Sequence, residues 1–247
     1  MGELPTDNLF RAISPQLAAI EVRDEGSDPV LSVRFAAFDE WAEIDSVYEG
    51  HFLERFAPGS LDESLSSETP KILFQHGKDP ELGNKVIAAP VTTRTDSQYA
   101  YLEGPLLDGV PPLIVSGLRH GVYGASMQFA AEEQTVVRNA KKSDYNPQGL
   151  TERTVTKARV REGGPVTWGA YASPTASIRS LTDEYQHVDF DAQIAYMARE
   201  HPQELASRIQ KALKAVEQPQ ESPRVSTPTA QPKFRSREEY LAWIALR

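Results

Sequence analysis

Short runs in which apolar and polar residues alternate are the feature of this 247-residue chain that most restricts its fold. Leu31, Val33 and Phe35 alternate with Ser32 and Arg34, a period of two that sends one set of side chains to each face of an extended strand. Further strands are predicted over 71–75, 86–89, 99–103, 123–130, 154–162 and 166–172, with turn signals between them such as Gly83-Asn84, Asp108-Gly109 and Gly163-Gly164. Many short strands joined by turns point to an antiparallel sandwich or barrel rather than a parallel α/β sheet. Two helices interrupt the strands. Ser60 and Glu63 form a capping box ahead of Leu61 and Leu65, and Pro111-Pro112 opens a second helix that Gly121 closes. The expected fold is mainly β (α+β): an antiparallel β-barrel core with flanking helices and a C-terminal helical tail.

The organisation along the chain follows from the same patterns. Residues 1–28 read as a polar lead-in, with Pro5, Pro15 and charges running to Asp28, and the folded core is expected over 29–183. A helical extension follows over 184–216, where Ile194, Met197 and Ala198, and then Leu205, Ile209, Ala212 and Leu213, recur at helical spacing on either side of Pro202. Residues 217–233 are a polar linker carrying Pro219, Pro223, Pro228 and Pro232. Residues 234–247 hold a second capping box at Ser236 and Glu239 and the run Tyr240-Leu241-Ala242-Trp243-Ile244. Such an amphipathic helix beyond a tether either docks to a partner or folds back onto the domain.

Composition removes several classes of function. With no Cys there are no disulfides, thiolate metal sites or cysteine nucleophiles. A net charge of −9 argues against a broad nucleic-acid-binding face. No apolar run approaches the roughly 20 residues of a membrane helix, and the N-terminus lacks a secretory layout, so a soluble intracellular chain with no membrane partner is expected. None of His51, His76, His120, His187 and His201 forms an HxxxH or HExxH pair, and no glycine-rich phosphate loop occurs. Neither a metal nor a cofactor is expected.

Nucleophilic acyl chemistry remains. It needs a serine, a base within hydrogen-bond reach and a third group that orients the base. Ser126 lies on the predicted strand Tyr123-Gly124-Ala125-Ser126-Met127-Gln128-Phe129, where Gly124, Ser126 and Gln128 share one face and Ala125, Met127 and Phe129 the other. Gly124 beside it leaves room for a substrate backbone. His76 ends the apolar run Ile72-Leu73-Phe74 at the start of a loop, and Glu162 ends a strand just before Gly163-Gly164. The order His, Ser, Glu matches neither common serine protease order nor the α/β-hydrolases, and Gly124-Ala125-Ser126-Met127-Gln128 breaks the GxSxG elbow at its last position. Ser116 is the nearest competing serine, expected to be less accessible inside its helix.

Three blocks of the chain resemble the prohead (procapsid) maturation serine proteases of tailed bacteriophages, a family related to the herpesvirus capsid protease. The first runs from Phe35-Ala36-Ala37-Phe38-Asp39-Glu40-Trp41 to Glu54-Arg55-Phe56-Ala57-Pro58-Gly59-Ser60 and is similar to the family's opening strand and its "EGxFxERFAPGAF" stretch. The second is Leu73-Phe74-Gln75-His76 with Leu82-Gly83-Asn84. The third is Glu162-Gly163-Gly164-Pro165-Val166-Thr167-Trp168-Gly169-Ala170-Tyr171, similar to "EFGPVTFPAY", and the match continues from Ala176 to Leu181. Gly77 stands where the family often has Asp, and Gly169 where it has Pro.

The resemblance implies a herpesvirus-protease-like barrel and a catalytic set of His76, Ser126 and Glu162. Backbone N–H groups at Gly163 and Gly164 are then expected to serve the oxyanion. It also implies partners: the scaffold, the N-terminal arm of the major capsid protein precursor, and the protease itself through autocleavage. A homo-oligomer acting inside the assembling procapsid in the host cytoplasm is expected by the same analogy. The rival from another class is a non-enzymatic internal scaffold, for which the acidic charge and the tethered tail would speak.

Overall fold

The computed structural model describes residues 3–25, 28–89, 92–169, 178–185, 194, 198–199 and 202–217. The linker beyond Glu217, the 234–247 helix and the Ala170–Ser177 part of the third block lie outside the described residues. Contacts divide the chain into residues 1–193 and 194–247. In the second unit a 16-residue helix, α5 (Pro202–Glu217), starts at the proline that the sequence marks.

In the first unit the strands are β1 (Leu9–Ile13), β2 (Glu21–Glu25), β3 (Asp28–Ala37), β4 (Ala42–Ser46), β5 (Gly50–Phe56), β6 (Lys71–Leu73), β7 (Val86–Ala88), β8 (Thr92–Thr95), β9 (Tyr99–Pro105), β10 (Gly124–Val137), β11 (Glu152–Val166) and β12 (Ile178–Ser180). The helices are α1 (Pro15–Ala18), α2 (Asp62–Ser67), α3 (Pro112–Arg119) and α4 (Thr182–Tyr185). One sheet runs β12-β1-β10-β11-β5-β4, with β6 also paired to β11 and β7 to β6; the other runs β2-β3-β9-β8. The outer strands of the first sheet approach each other. Ile178 of β12 packs on the Ala42, Ile44 and Phe52 cluster of β4 and β5, and Asp183 accepts from Ser46 Oγ and from the N–H groups of Val47 and Tyr48. The sheet is thereby a nearly closed barrel, the mainly β architecture expected.

The core lies between the sheets. Leu31, Val33 and Phe35 of β3 meet Ala125, Met127 and Phe129 of β10 and Val155, Ala158 and Val160 of β11, all nearly inaccessible to water. Alternation therefore works as predicted in β3 and β10.

Four expectations need correction. The stretch read as a lead-in contains β1, which pairs with both β10 and β12 near the middle of the sheet. The sequence hides it because all five residues of β1 are buried and Arg11 interrupts the apolar run. The two strands expected on either side of Gly163-Gly164 are one 15-residue strand, β11, which runs straight through the glycines. The barrel is also not wholly antiparallel, since β11 pairs in parallel with both β5 and β6. Between those two partners, α2 and the turn before it fill the gap along β11: Ala158 N–H donates to Ser60 O (2.8 Å) and Val160 N–H to Ser64 Oγ (2.9 Å). Finally, the Ser60–Glu63 capping box does not form; the helix N-cap is Leu61, with no side-chain cap.

Arg11 is buried because it joins a neutral group of four charges. Its Nε donates to Glu54 Oε1 (2.6 Å) and its Nη2 to Glu49 Oε2 (2.5 Å), while Arg153 Nε donates to Glu54 Oε2 (2.6 Å) and Arg153 Nη1 to Pro5 O (2.7 Å). All four side chains are essentially inaccessible. The group ties β1, β5 and β11 together. Burial alone would push the Glu49 carboxyl up, but Arg11 and Arg153 more than offset it and hold the group below its ordinary 4.5. A carboxyl depressed in the folded state stabilises it fully above the unfolded value, and that stability is lost as pH falls through the folded value. Glu49→Gln should therefore cost about 3–5 kcal/mol at pH 7 in urea unfolding. Its stability should also fall less steeply than that of the wild type as pH drops below 4.5.

Candidate active site

The pairing of β10 with β11 sets Ser126 opposite Gly164 and Gln128 opposite Glu162. On the other side of β10, Ala12 faces Ser126 and Phe10 faces Gln128. Directly opposed residues share a sheet face, so Phe10, Ala12, Ser126, Gln128 and Glu162 all project away from the main core. Ser126 and Glu162 are diagonal neighbours across the ladder, a relation that spaces residues by about 7–8 Å. A separate small cluster of Phe10, Ala12, Val166 and Leu181, with Tyr185 against it, covers this face.

His76 reaches the same face from β6. That strand enters beside β11, with Lys71 opposite Glu162 and Ile72 opposite Gly163, and passes into a 3₁₀ turn at Gln75–Gly77. Three consecutive residues there are left-handed: Gln75 (φ 53°), His76 (φ 52°) and Gly77 (φ 72°). For the two non-glycine residues this conformation costs roughly 1–2 kcal/mol each. Gly77 cannot be replaced cheaply, since a Cβ there would collide with the Asn84 side chain and crowd its Cα at 3.2 Å. The turn is held by Gly77 N–H to Phe74 O (3.0 Å) and Lys78 N–H to Gln75 O (2.9 Å). The Gln75 side chain is tied at both ends: its Nε2 donates to Thr167 Oγ1, and its Oε1 accepts from Tyr185 OH (2.7 Å).

Held in this way, His76 makes a short hydrogen bond from Nδ1 to Glu162 Oε1. A carboxylate partner assigns the proton to Nδ1 and leaves the lone pair on Nε2, the tautomer of a general base. The imidazole stands edge-on between two aromatic rings, Phe10 at 4.8 Å and Tyr185 at 4.4 Å between centroids. Burial first, then Glu184 and Glu162, push the Tyr185 phenol up to about 12 against the opposing effect of Arg179, so its hydroxyl keeps its proton and donates. His76, Ser126 and Glu162 are 8%, 0% and 5% exposed. Each holds a buried polar atom without a protein partner: His76 Nε2, Ser126 Oγ and Glu162 Oε2. Buried polar groups are usually paired, so three such atoms on one sheet face, out of seven among the described residues, single out this face as the candidate site.

The remaining sequence candidates fall as follows. Gly164 lies opposite Ser126, and a Cβ on it would collide with the Leu73 carbonyl; its lack of a side chain is what lets β6 lie against β11. The atoms nearest to a Cβ on Gly163 would be those of the Phe35 and Leu102 side chains, at 3.2–3.5 Å. Gly124 opens β10 and presses on Ile13 O and the Gly169 backbone. Ser116 is the reverse of what was expected: it is exposed, and Ser126 is the inaccessible one. Ser116 sits on α3, whose Arg119 pairs with Asp24 of β2. Gln75 and Thr167 lie in the second and third blocks but were given no role there, and Phe10 and Tyr185 escaped the sequence reading, since nothing local distinguishes them from ordinary strand and helix residues.

A family profile describing caudovirus prohead serine proteases matches residues 19–189. No curated protein matches the chain. Among solved structures, the bacteriophage T4 capsid assembly protease gp21 is similar at 13% identity with a TM-score of 0.35, covering 68% of this chain and 98% of that one.

The close approach at Gly164 gives a direct test of how the site is held. Gly164→Ala should lower stability by about 1–3 kcal/mol through overpacking. It should also weaken the His76–Glu162 hydrogen bond, followed as the downfield Nδ1 proton resonance. Gly163→Ala, whose neighbours are side-chain ends, should be milder on both counts; equal effects would contradict the proposed backbone contact.

Proposed function

The chain belongs to the caudovirus prohead serine protease family, and from that premise we propose that it is a serine endopeptidase whose catalytic set is Ser126, His76 and Glu162. The observation that carries the assignment is the trio of buried, unpartnered polar atoms on one sheet face, next to an imidazole already bonded through Nδ1 to a carboxylate.

In this reading Ser126 Oγ attacks the scissile carbonyl carbon while His76 Nε2 takes the hydroxyl proton. The tetrahedral oxyanion collapses, the C–N bond breaks, and His76 passes the same proton to the leaving amine. Water then repeats the sequence on the acyl-enzyme and regenerates the serine. Glu162 keeps the proton on Nδ1 and stabilises the imidazolium that forms in each half-reaction. The oxyanion is assigned to backbone N–H groups beside the serine, and of the glycines expected there Gly164 is the one in register with Ser126. In the described state Ser126 is wholly covered, so productive binding requires movement of the cover on this face.

Substrates are proposed to be the scaffold, the N-terminal arm of the major capsid protein precursor and the protease itself, cut within the procapsid. The linker 217–233 and the helix 234–247 are proposed to bring the enzyme into the assembling particle.

Ser126→Ala should abolish both self-cleavage and cleavage of the cognate capsid precursor, read as fragment masses. His76→Ala should lose about as much, because the members act as a unit. Glu162→Gln, which preserves shape but not the imidazole tautomer, should cost on the order of 10³–10⁴ in turnover. Retained processing by Ser126→Ala would sink the assignment. Deleting 217–247 should spare cleavage in solution while lowering the amount of enzyme recovered in procapsids; normal recovery would remove the docking role.

A further inference from the structure

We infer that Tyr185, acting through Gln75, is a positioning residue for His76, an inference that rests on the protease reading above. The imidazole sits on a turn whose backbone is unfavourable at two successive non-glycine residues, so its placement depends on what restrains that turn. The restraint comes from two hydrogen bonds of the Gln75 side chain. Tyr185 OH donates to Gln75 Oε1 (2.7 Å), and Gln75 Nε2 donates to Thr167 Oγ1 on the chain just beyond β11. The left-handed residue preceding His76 is thereby anchored by its side chain to both sides of the site.

The Tyr185 ring does a second job. It stands edge-on to the imidazole at 4.4 Å, with Phe10 at 4.8 Å, and the two aromatic rings lie 5.6 Å apart. Together they confine the ring plane, so that rotation about the Cβ–Cγ bond cannot carry Nδ1 away from Glu162 or Nε2 away from the serine face. The tyrosine is itself fixed to the sheet. It closes α4, and Thr182 at the start of that turn accepts from Phe10 N–H (3.0 Å) while Leu181 N–H donates to Phe10 O (3.1 Å). One short segment therefore pins both aromatic rings that flank the imidazole. The phenol stays protonated across the working pH range, since burial pushes it up to about 12, and it remains a donor to the Gln75 carbonyl.

Two variants of the full-length protein separate this role from bulk stability. Tyr185→Phe keeps the ring and removes only the hydroxyl, and Gln75→Met keeps length and removes both side-chain hydrogen bonds. A fluorophosphonate, which phosphonylates active serines on the hydroxyl oxygen with loss of fluoride, is the probe. Its maximal inactivation rate should fall about tenfold in either variant, with the concentration for half-maximal rate unchanged, because misplacing a catalytic base affects the chemical step rather than binding. The downfield Nδ1 proton resonance of His76 should move upfield or broaden in step, while the melting temperature changes little. Wild-type inactivation rates with an unchanged resonance would overturn the inference, as would a melting-temperature drop with unaltered chemistry. If the wild type itself does not react with the probe, the protease reading fails, and the resonance alone then decides whether Tyr185 and Gln75 position the imidazole. Should Tyr185→Phe not fold, Gln75→Met carries the same test.

Discussion

The antiparallel pairing of β10 with β11 is the constraint on which the rest of this molecule rests. Because side chains alternate along a strand, a slip of one residue in that pairing would turn Ser126 into the core and bring Met127 to the opposite face. Burial on both faces prevents the slip. Ala125, Met127 and Phe129 pack against Ala158, Val160 and the β3 side chains, while Ser126 and Gln128 look toward Phe10, Ala12 and Glu162. The proposed nucleophile and acid thus ride on the buried half of this ladder. The proposed base, His76, arrives from outside it, on the turn after the short strand β6, which gains its place because Gly164 has no side chain.

That arrangement is bought with local instability. Two left-handed non-glycine residues, and three buried polar atoms without partners, each cost on the order of 1–3 kcal/mol. The compensation lies elsewhere in the same sheet. The Arg11–Glu49–Glu54–Arg153 group crosslinks β1, β5 and β11 from the core side, satisfying donors and acceptors that would otherwise be ruinous to bury. Two of the left-handed non-glycine residues stand side by side at the turn that carries His76, while the charged group holds β11, the strand that carries its partner Glu162.

How much of this could be read from the residues depends on whether the information was local. The alternation in β3 and β10, the helix between Pro112 and Arg119, and the face shared by Gly124, Ser126 and Gln128 all follow from periods and caps within a few residues, and the structure has them. What was not legible needed long-range partners. β1 looked like a polar lead-in because Arg11 reads as a surface residue until Glu49 and Glu54, some 40 residues away, neutralise it. Gly163-Gly164 looked like a turn because the usual reason for two glycines is a change of direction, whereas here the second one admits another backbone at close range. The parallel pairing of β11 with both β5 and β6 has no local signature at all. Phe10 and Tyr185 lie 175 positions apart and meet only through the pairing of β1 with β10 and β12.

The orphaned atoms also bear on how the proposed protease would use a peptide. A serine hydroxyl or an imidazole nitrogen exposed to water would already be hydrogen-bonded, and a substrate would have to displace that solvent before reacting. Here Ser126 Oγ and His76 Nε2 are buried and have no protein hydrogen-bond partner, so in the proposed reaction a substrate would meet groups that are not yet paired within the protein. In the proposed reaction a peptide would supply the missing partners: its carbonyl carbon would approach the oxygen, and its amide nitrogen would become the eventual acceptor of the proton that Nε2 takes from the serine. Interactions that are absent in the resting site and complete only as the bond rearranges favour the transition state over the ground state, which is the condition for raising the rate of the chemical step rather than merely the tightness of binding. Burial would strengthen the same effect, because in the proposed reaction the Glu162 carboxylate would act on the developing imidazolium through a medium that screens it less than bulk water.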